Sequence, residues 1–258
     1  MKKILKISDI ETKEIIFFEP EFKGKCFEFC KQRGIEFLPS LDNSEKIYIR
    51  DDDALEFKVE TISEDRKIDG FKRAFSSQVL NAFKKNHLLF VYTEGELSGV
   101  VHFSDFNKSI VSSYLFEMFF QYEKALRVFL QKVGLNNSNL IDFLKNDSSK
   151  KKRIAEFERN KDKADKLPPF QLFYLNELIN FANTKNINLD VRVKELRNMI
   201  MHAHELVNMK NPSANNFIFD FETFENFFNY AITLHHDYKK LKNRINFLQG
   251  FDESTNFV

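Results

Sequence analysis

The segment Glu195-Leu196-Arg197-Asn198-Met199-Ile200-Met201-His202-Ala203-His204 has two faces when wound into an α-helix at about 100° per residue. Leu196, Met199, Ile200 and Ala203, continued by Leu206 and Val207, gather on one side and face a core. Arg197, Asn198, His202, His204 and Glu205 take the other side. Asn198 and His202, four residues apart, stack along one edge. Arg197 and His202 fall about 140° apart on the same polar side. The pattern predicts an amphipathic helix over 191–207, with its reactive side chains on the face away from the core.

Helical signals continue on both sides of this segment. Residues 114–132 contain no Gly or Pro, and Leu115, Met118, Phe119, Tyr122, Leu126, Phe129 and Leu130 recur at helical spacing. Further helices are expected over 170–182 and 221–247, the latter opened by Asp220 or Thr223 as a cap. A polar stretch, 148–166, separates the first two and ends near Pro168-Pro169. Everything after Asn107 therefore reads as an all-helical bundle.

Before Asn107 strands and helices alternate. Ile15-Ile16-Phe17-Phe18, stopped at Pro20, suits a buried strand. A helix through Cys26 to Arg33 leads to strands at 35–39 and 47–49. The order then recurs: a helix over 79–85, a strand over 88–92, a turn at Glu94-Gly95-Glu96 and a strand over 98–103. Each half reads helix, strand, turn, strand, an internal repeat of roughly 50–60 residues. The fold expected is two domains: an α/β module over 1–108, then a helical domain over 112–250 and a tail over 251–258.

Bulk properties set limits. The 258 residues can bury a real core, and with 31 Phe, no Trp and 7 Gly that core is built from Phe, Leu and Ile. A net charge of +1 gives no overall field to steer nucleic acid, so such contacts must come from local patches. Two cysteines, Cys26 and Cys30, share one helix face and read as packing in a reducing compartment. No apolar run long enough for a signal peptide follows the basic start, and none reaches the roughly 20 residues of a membrane helix. A cytoplasmic protein without membrane attachment is expected.

The N-terminal repeat resembles a pair of CBS motifs. Its second copy is the clearer, running from Val59-Glu60-Thr61-Ile62 through 88–91 to Gly99-Val100-Val101-His102-Phe103-Ser104-Asp105. In that family the last segment commonly reads Gly-x-x-Thr-x-x-Asp, with the Asp on ribose hydroxyls of an adenine nucleotide and the Thr near a phosphate. Gly99 and Asp105 match, whereas His102 replaces the Thr and the first copy lacks the glycine. The resemblance implies an adenine nucleotide as regulator, bound by Gly99, His102 and Asp105. The alternative is that Asp105 caps the next helix.

The helical half resembles the HEPN family, over about residues 112–248. Its nucleases carry Arg, often Asn next, then His after four to six residues; Arg197, Asn198 and His202 fit, and His204 also lies within the allowed spacing. Tyr122-Glu123-Lys124-Ala125-Leu126-Arg127 resembles the family's first helix, with Glu123 as the polar residue that holds Arg197. Glu123 could instead pair with Arg127 four residues on. The resemblance implies a homodimer in which two motif helices meet.

The residue types suit RNA cleavage without metal. RNA carries its own nucleophile, the 2′-hydroxyl. The imidazole of His202, with His204 as second choice, suits proton transfer near neutral pH. Arg197 presents a fork of donors to phosphate oxygens, and Asn198 positions the phosphate or the imidazole. The products expected are 2′,3′-cyclic phosphate and 5′-hydroxyl ends, from an endoribonuclease gated by its CBS-like half. By resemblance, stress response, toxin or anti-phage defence is the setting. The competing readings are a non-catalytic RNA- or protein-binding scaffold, and a nucleotide sensor alone. His235, His236 and Asp237 point to different helix faces, against a metal site. Lys150-Lys151-Lys152-Arg153 with Arg159, Lys161, Lys163 and Lys166 reads as a solvated face or an RNA backbone contact.

Overall fold

The computed structural model describes residues 4–161, 166–201 and 220–255. Among them lie eight α-helices and two three-stranded sheets. The chain divides into two compact units. The described residues of the first are 4–111 and 220–225, and those of the second are 112–161, 166–201 and 226–255.

In the first unit, α1 (Lys23–Arg33) ends where Gly34 turns left-handed at φ 65°. This lets the Ile35 N–H reach back to the Cys30 carbonyl at 2.9 Å. The strands β1 (Phe37–Pro39), β2 (Lys46–Asp51) and β3 (Glu56–Thr61) follow as an antiparallel meander. β4 (Lys67–Asp69) then pairs in parallel with β5 (Leu88–Thr93), the crossover being α2 (Ser77–Lys85). β6 (Glu96–His102) returns antiparallel to β5. The two loop residues between them, Glu94 and Gly95, both have positive φ (55° and 88°), which matches the twist of a tight hairpin.

The halves repeat, though not as expected in detail. Residues 15–18 do not form a strand; Phe18 alone makes a parallel bridge, to Ser40. That single bridge occupies the place before α1 that β4 occupies before α2. Val59-Glu60-Thr61, expected to open the second half, belongs instead to β3 in the first sheet. Lys58, Val59 and Glu60 are exposed, as suits a strand at the edge of its three-stranded sheet. Cys30 is fully buried among Phe18, Phe27, Leu38 and Phe57, and Cys26 packs against the same cluster. Burial pushes the Cys30 thiol pKa up, which keeps it protonated and inert. A second cluster joins the sheets through Ile47, Ile62 and Phe90. Phe83, Phe103, Phe106, Phe221 and Phe224 meet edge-on or tilted, so several of the many Phe residues form one aromatic knot.

The second unit is helical. α3 (Ser109–Lys132) enters it at Ser112. α4 (Asn137–Lys145), α5 (Lys151–Arg159), α6 (Leu175–Asn183), α7 (Val193–Met201) and α8 (Phe221–Thr255) follow, the last belonging to this unit from Asn226. All seven apolar positions predicted for the buried face of α3 are buried. Leu196 of α7 is fully buried and Met199 and Ile200 partly so, as the two-faced pattern requires. The helix expected over 170–182 begins only at Leu175. Phe170 is left-handed at φ 66°, a costly conformation for an aromatic residue, and its ring is fully buried. The Tyr174 N–H donates to Glu177 Oε2 at 2.9 Å, which fixes where α6 starts. No helix among the described residues is long and apolar enough to cross a membrane.

Candidate functional site

α7 carries Arg197 and Asn198 to the wall of a cleft of about 640 Å³ in the second unit. The same cleft is lined by Glu123 and Arg127 from α3, Arg153 and Glu156 from α5, residues 171–176 and Lys194. Four cationic side chains thus face two carboxylates along its wall. That excess of positive charge is local, in a chain whose net charge is only +1.

Glu123 holds two guanidiniums. Arg197 Nε donates to its Oε1 and Arg127 Nη2 to its Oε2, each at 3.1 Å. Both roles foreseen for Glu123, holding Arg197 and pairing with Arg127 one turn along, are therefore present together. Arg127 Nε also lies 3.5 Å from the Phe170 carbonyl. The Arg197 side chain is 39% exposed, and among the described residues no hydrogen bond engages its two terminal nitrogens. A guanidinium anchored through Nε with its other edge open is pre-set for an anion with paired oxygens, such as a phosphate. Asn198 is exposed on the adjoining turn. His202 and His204 lie outside the described residues.

Arg153, which the sequence placed on a solvated face, is turned inward. Nη1 pairs with Glu156 at 3.0 Å, Nη2 donates to the Leu172 carbonyl, and Nε is 3.6 Å from the buried Glu177 carboxylate. Its guanidinium lies 4.4 Å from the centre of the Tyr174 ring. Arg153 stood out in the sequence only as one member of a basic run, and Tyr174 had no signal of its own. They meet because the non-helical stretch before α6 folds back on α5, which no periodicity reports.

Chain-wide comparisons add no relative: no family model, curated protein or solved structure matches this sequence.

The residues singled out in the first unit are engaged locally. Asp105 Oδ2 accepts from the His102 N–H at 2.7 Å, and Oδ1 pairs with Lys108 at 3.0 Å and accepts from Thr12 Oγ1 at 3.3 Å. Asp105 thus closes the short turn Phe103–Asn107 to which it belongs, bonding back to the residue that opens it, which is not the cap on the next helix foreseen as the alternative. A Cβ at Gly99 would stand 2.8 Å from both the Thr12 carbonyl and Glu11 Oε2, so glycine there admits residues 11–12 alongside β6. His102 Nδ1 accepts from the Ser104 N–H at 3.2 Å, and burial pushes its pKa down. His102 also lines a cleft of about 450 Å³ with Phe37, Arg66, Lys85 and His87; Gly99 and Asp105 do not. In the second unit, buried Asp237 accepts from the Asp190 N–H at 2.7 Å and pairs with Lys240 at 3.3 Å. His235 stacks on Tyr114.

Proposed function

We propose that the second unit is a metal-independent endoribonuclease of HEPN type. One observation carries the proposal: Glu123 on α3 fixes Arg197 on α7 by its Nε, at the wall of an open, positively charged cleft. In this reading Arg197 binds the scissile phosphate and stabilises the charge that grows on its oxygens. His202 moves the proton of the 2′-hydroxyl, with His204 as the second candidate, and Asn198 orients the phosphate. The attacking oxygen closes a 2′,3′-cyclic phosphate, the P–O5′ bond breaks, and the leaving oxygen takes a proton to become a 5′-hydroxyl.

A homodimer is part of the proposal. Phe116 and Phe120 are exposed one turn apart on α3 and, with Ile200, border a small hollow that also reaches Arg197. An apolar border beside the motif helix suits a second copy bringing its own Arg and His. The first unit is proposed as the regulatory half. Its β4–α2–β5–β6 order, echoed by the Phe18 bridge, α1, β1 and β2, supports a tandem CBS-like arrangement. Its cleft with Arg66 and Lys85 suits an anionic regulator such as an adenine nucleotide.

The test is cleavage of a labelled single-stranded RNA in EDTA, with the product ends identified. His202→Ala should lower the rate by roughly 10²–10⁴ with an unchanged melting curve. An undiminished rate removes His202 from the mechanism. No cleavage by the parent under any condition leaves the unit as a binding scaffold.

A further inference from the structure

The cleft has an aromatic side as well as a cationic one. Tyr174 is 60% exposed, although the residues on either side of it, Phe173 and Leu175, are buried. Arg153 lies over its ring at 4.4 Å. Arg153 is not free to follow a ligand: it is held by Glu156, by the Leu172 carbonyl and by buried Glu177, and its side chain is only 15% exposed. The backbone under the ring is held too, through the Tyr174 N–H on Glu177. Tyr174 is therefore a fixed shelf, backed by a cation on one side and open to solvent elsewhere. An exposed aromatic with a held cation against one face and a tethered backbone beneath it offers stacking at reduced entropic cost.

Lys194, Arg197 and Asn198 line the same cleft as this shelf, as does Gln171. Its volume of about 640 Å³ lies within the ~300–1,000 Å³ of sites that enclose a small molecule. We infer that the cleft takes one unstacked nucleobase of single-stranded RNA on the open face of Tyr174, with the adjoining phosphate on Arg197 and Lys194. This deepens, and rests on, the reading of the Arg197 cleft as an RNA site. It makes the substrate class unpaired RNA, because a base inside a duplex has no free face. Every base has a π-face, so the shelf gives affinity for unpaired strand with little sequence preference. Gln171 and Asn198 supply amide donors and acceptors for modest discrimination at the base edge.

The chain contains no Trp, so Tyr174→Trp in the full-length protein carrying His202→Ala gives a single indole at the shelf. Titrating it with a 12-nucleotide single-stranded RNA in EDTA should quench its emission saturably. The matching duplex should leave it bright, and free AMP should quench only at far higher concentration. In anisotropy titrations of the labelled strand, Tyr174→Ala should weaken binding on the order of tenfold, whereas Tyr174→Phe should stay within about twofold, since stacking needs the ring and not the hydroxyl. An indole that stays bright while RNA binds, or Tyr174→Ala binding as tightly as the parent, overturns the shelf. Quenching by AMP as strong as by the strand makes the cleft a mononucleotide site and overturns it too, as does the absence of any RNA binding. Cleavage by the parent protein is scored separately. Cutting without quenching sinks the shelf alone, and quenching without cutting sinks the nuclease alone.

Discussion

Asp105 and Glu123 are carboxylates singled out for similar reasons, and they have different surroundings. Asp105 is ringed by groups from its own turn and from the nearby residue 12, and both its oxygens are taken by the backbone N–H of His102, Lys108 and Thr12. Glu123 also has both oxygens engaged, but its partners are two arginines that themselves line an open cleft. The first carboxylate ends a chain of contacts, and the second passes its charge on to a group that faces solvent. A motif position earns a chemical role when its partners still have something left to offer a ligand.

Substitutions can break or sharpen that contrast. The largest effect belongs to Arg197→Ala, which should cut RNA cleavage by about 10²–10³ without lowering the melting temperature. A rate like the parent's would put Glu123 and Asp105 in the same structural class. Glu123→Gln keeps the shape but not the charge, and hydrogen bonds to charged groups are worth roughly 1.5–3 kcal/mol. Its rate should fall about tenfold, with Glu123→Asp less affected, as single-turnover kinetics would show. Asp105→Ala should cost about 1 kcal/mol, as loss of a cap does, in urea unfolding of the full chain, and should leave cleavage alone. If it instead abolished an AMP-dependent melting shift at unchanged stability, the contrast would be reversed.

The smallest effect concerns His102. Burial holds its folded-state pKa below the ordinary imidazole value of about 6.5. The unfolded chain therefore takes up the proton first as the pH drops, and stability falls below about pH 6.5 until the folded imidazole also titrates. His102→Gln should flatten that acid slope; an unaltered slope would assign the titration to other groups.

Long-period signals in the sequence carried over well. The α3 stripe, from Leu115 to Leu130, is buried throughout because one helix face against a core imposes a pattern that 19 residues (114–132) can display. Short apolar strands such as those at 47–49 and 88–92 carried over as well, whereas short polar elements did not. β4 offers one apolar residue, Ile68, between Lys67 and Asp69. α4 opens on Asn136-Asn137-Ser138-Asn139, which reads as a loop, yet the Asn136 side chain accepts the Asn139 N–H at 3.1 Å as a cap. α5 is nearly all charged outside Ile154, Ala155 and Phe157. In the site, Arg197 and Glu123 were legible because each sits on a helix with a clear face. The pairing of Arg153 with Tyr174 was not, because contact across a loop leaves no periodic trace in a single sequence.

The stretch from Phe170 to Tyr174 is not helical, yet it is tethered at several points. The Phe170 N–H donates to Asn137 Oδ1 at 2.8 Å, its carbonyl faces Arg127, and the Leu172 carbonyl accepts from Arg153. Sequence and secondary structure alone would mark it as an easy place to nick or to splice in a tag. A protease needs several consecutive residues to peel away into its groove, and here that would break tethers to three different helices. Insertions here would disrupt the wall of the cleft, so the middle of this segment is a poor choice for protein engineering despite its irregular backbone.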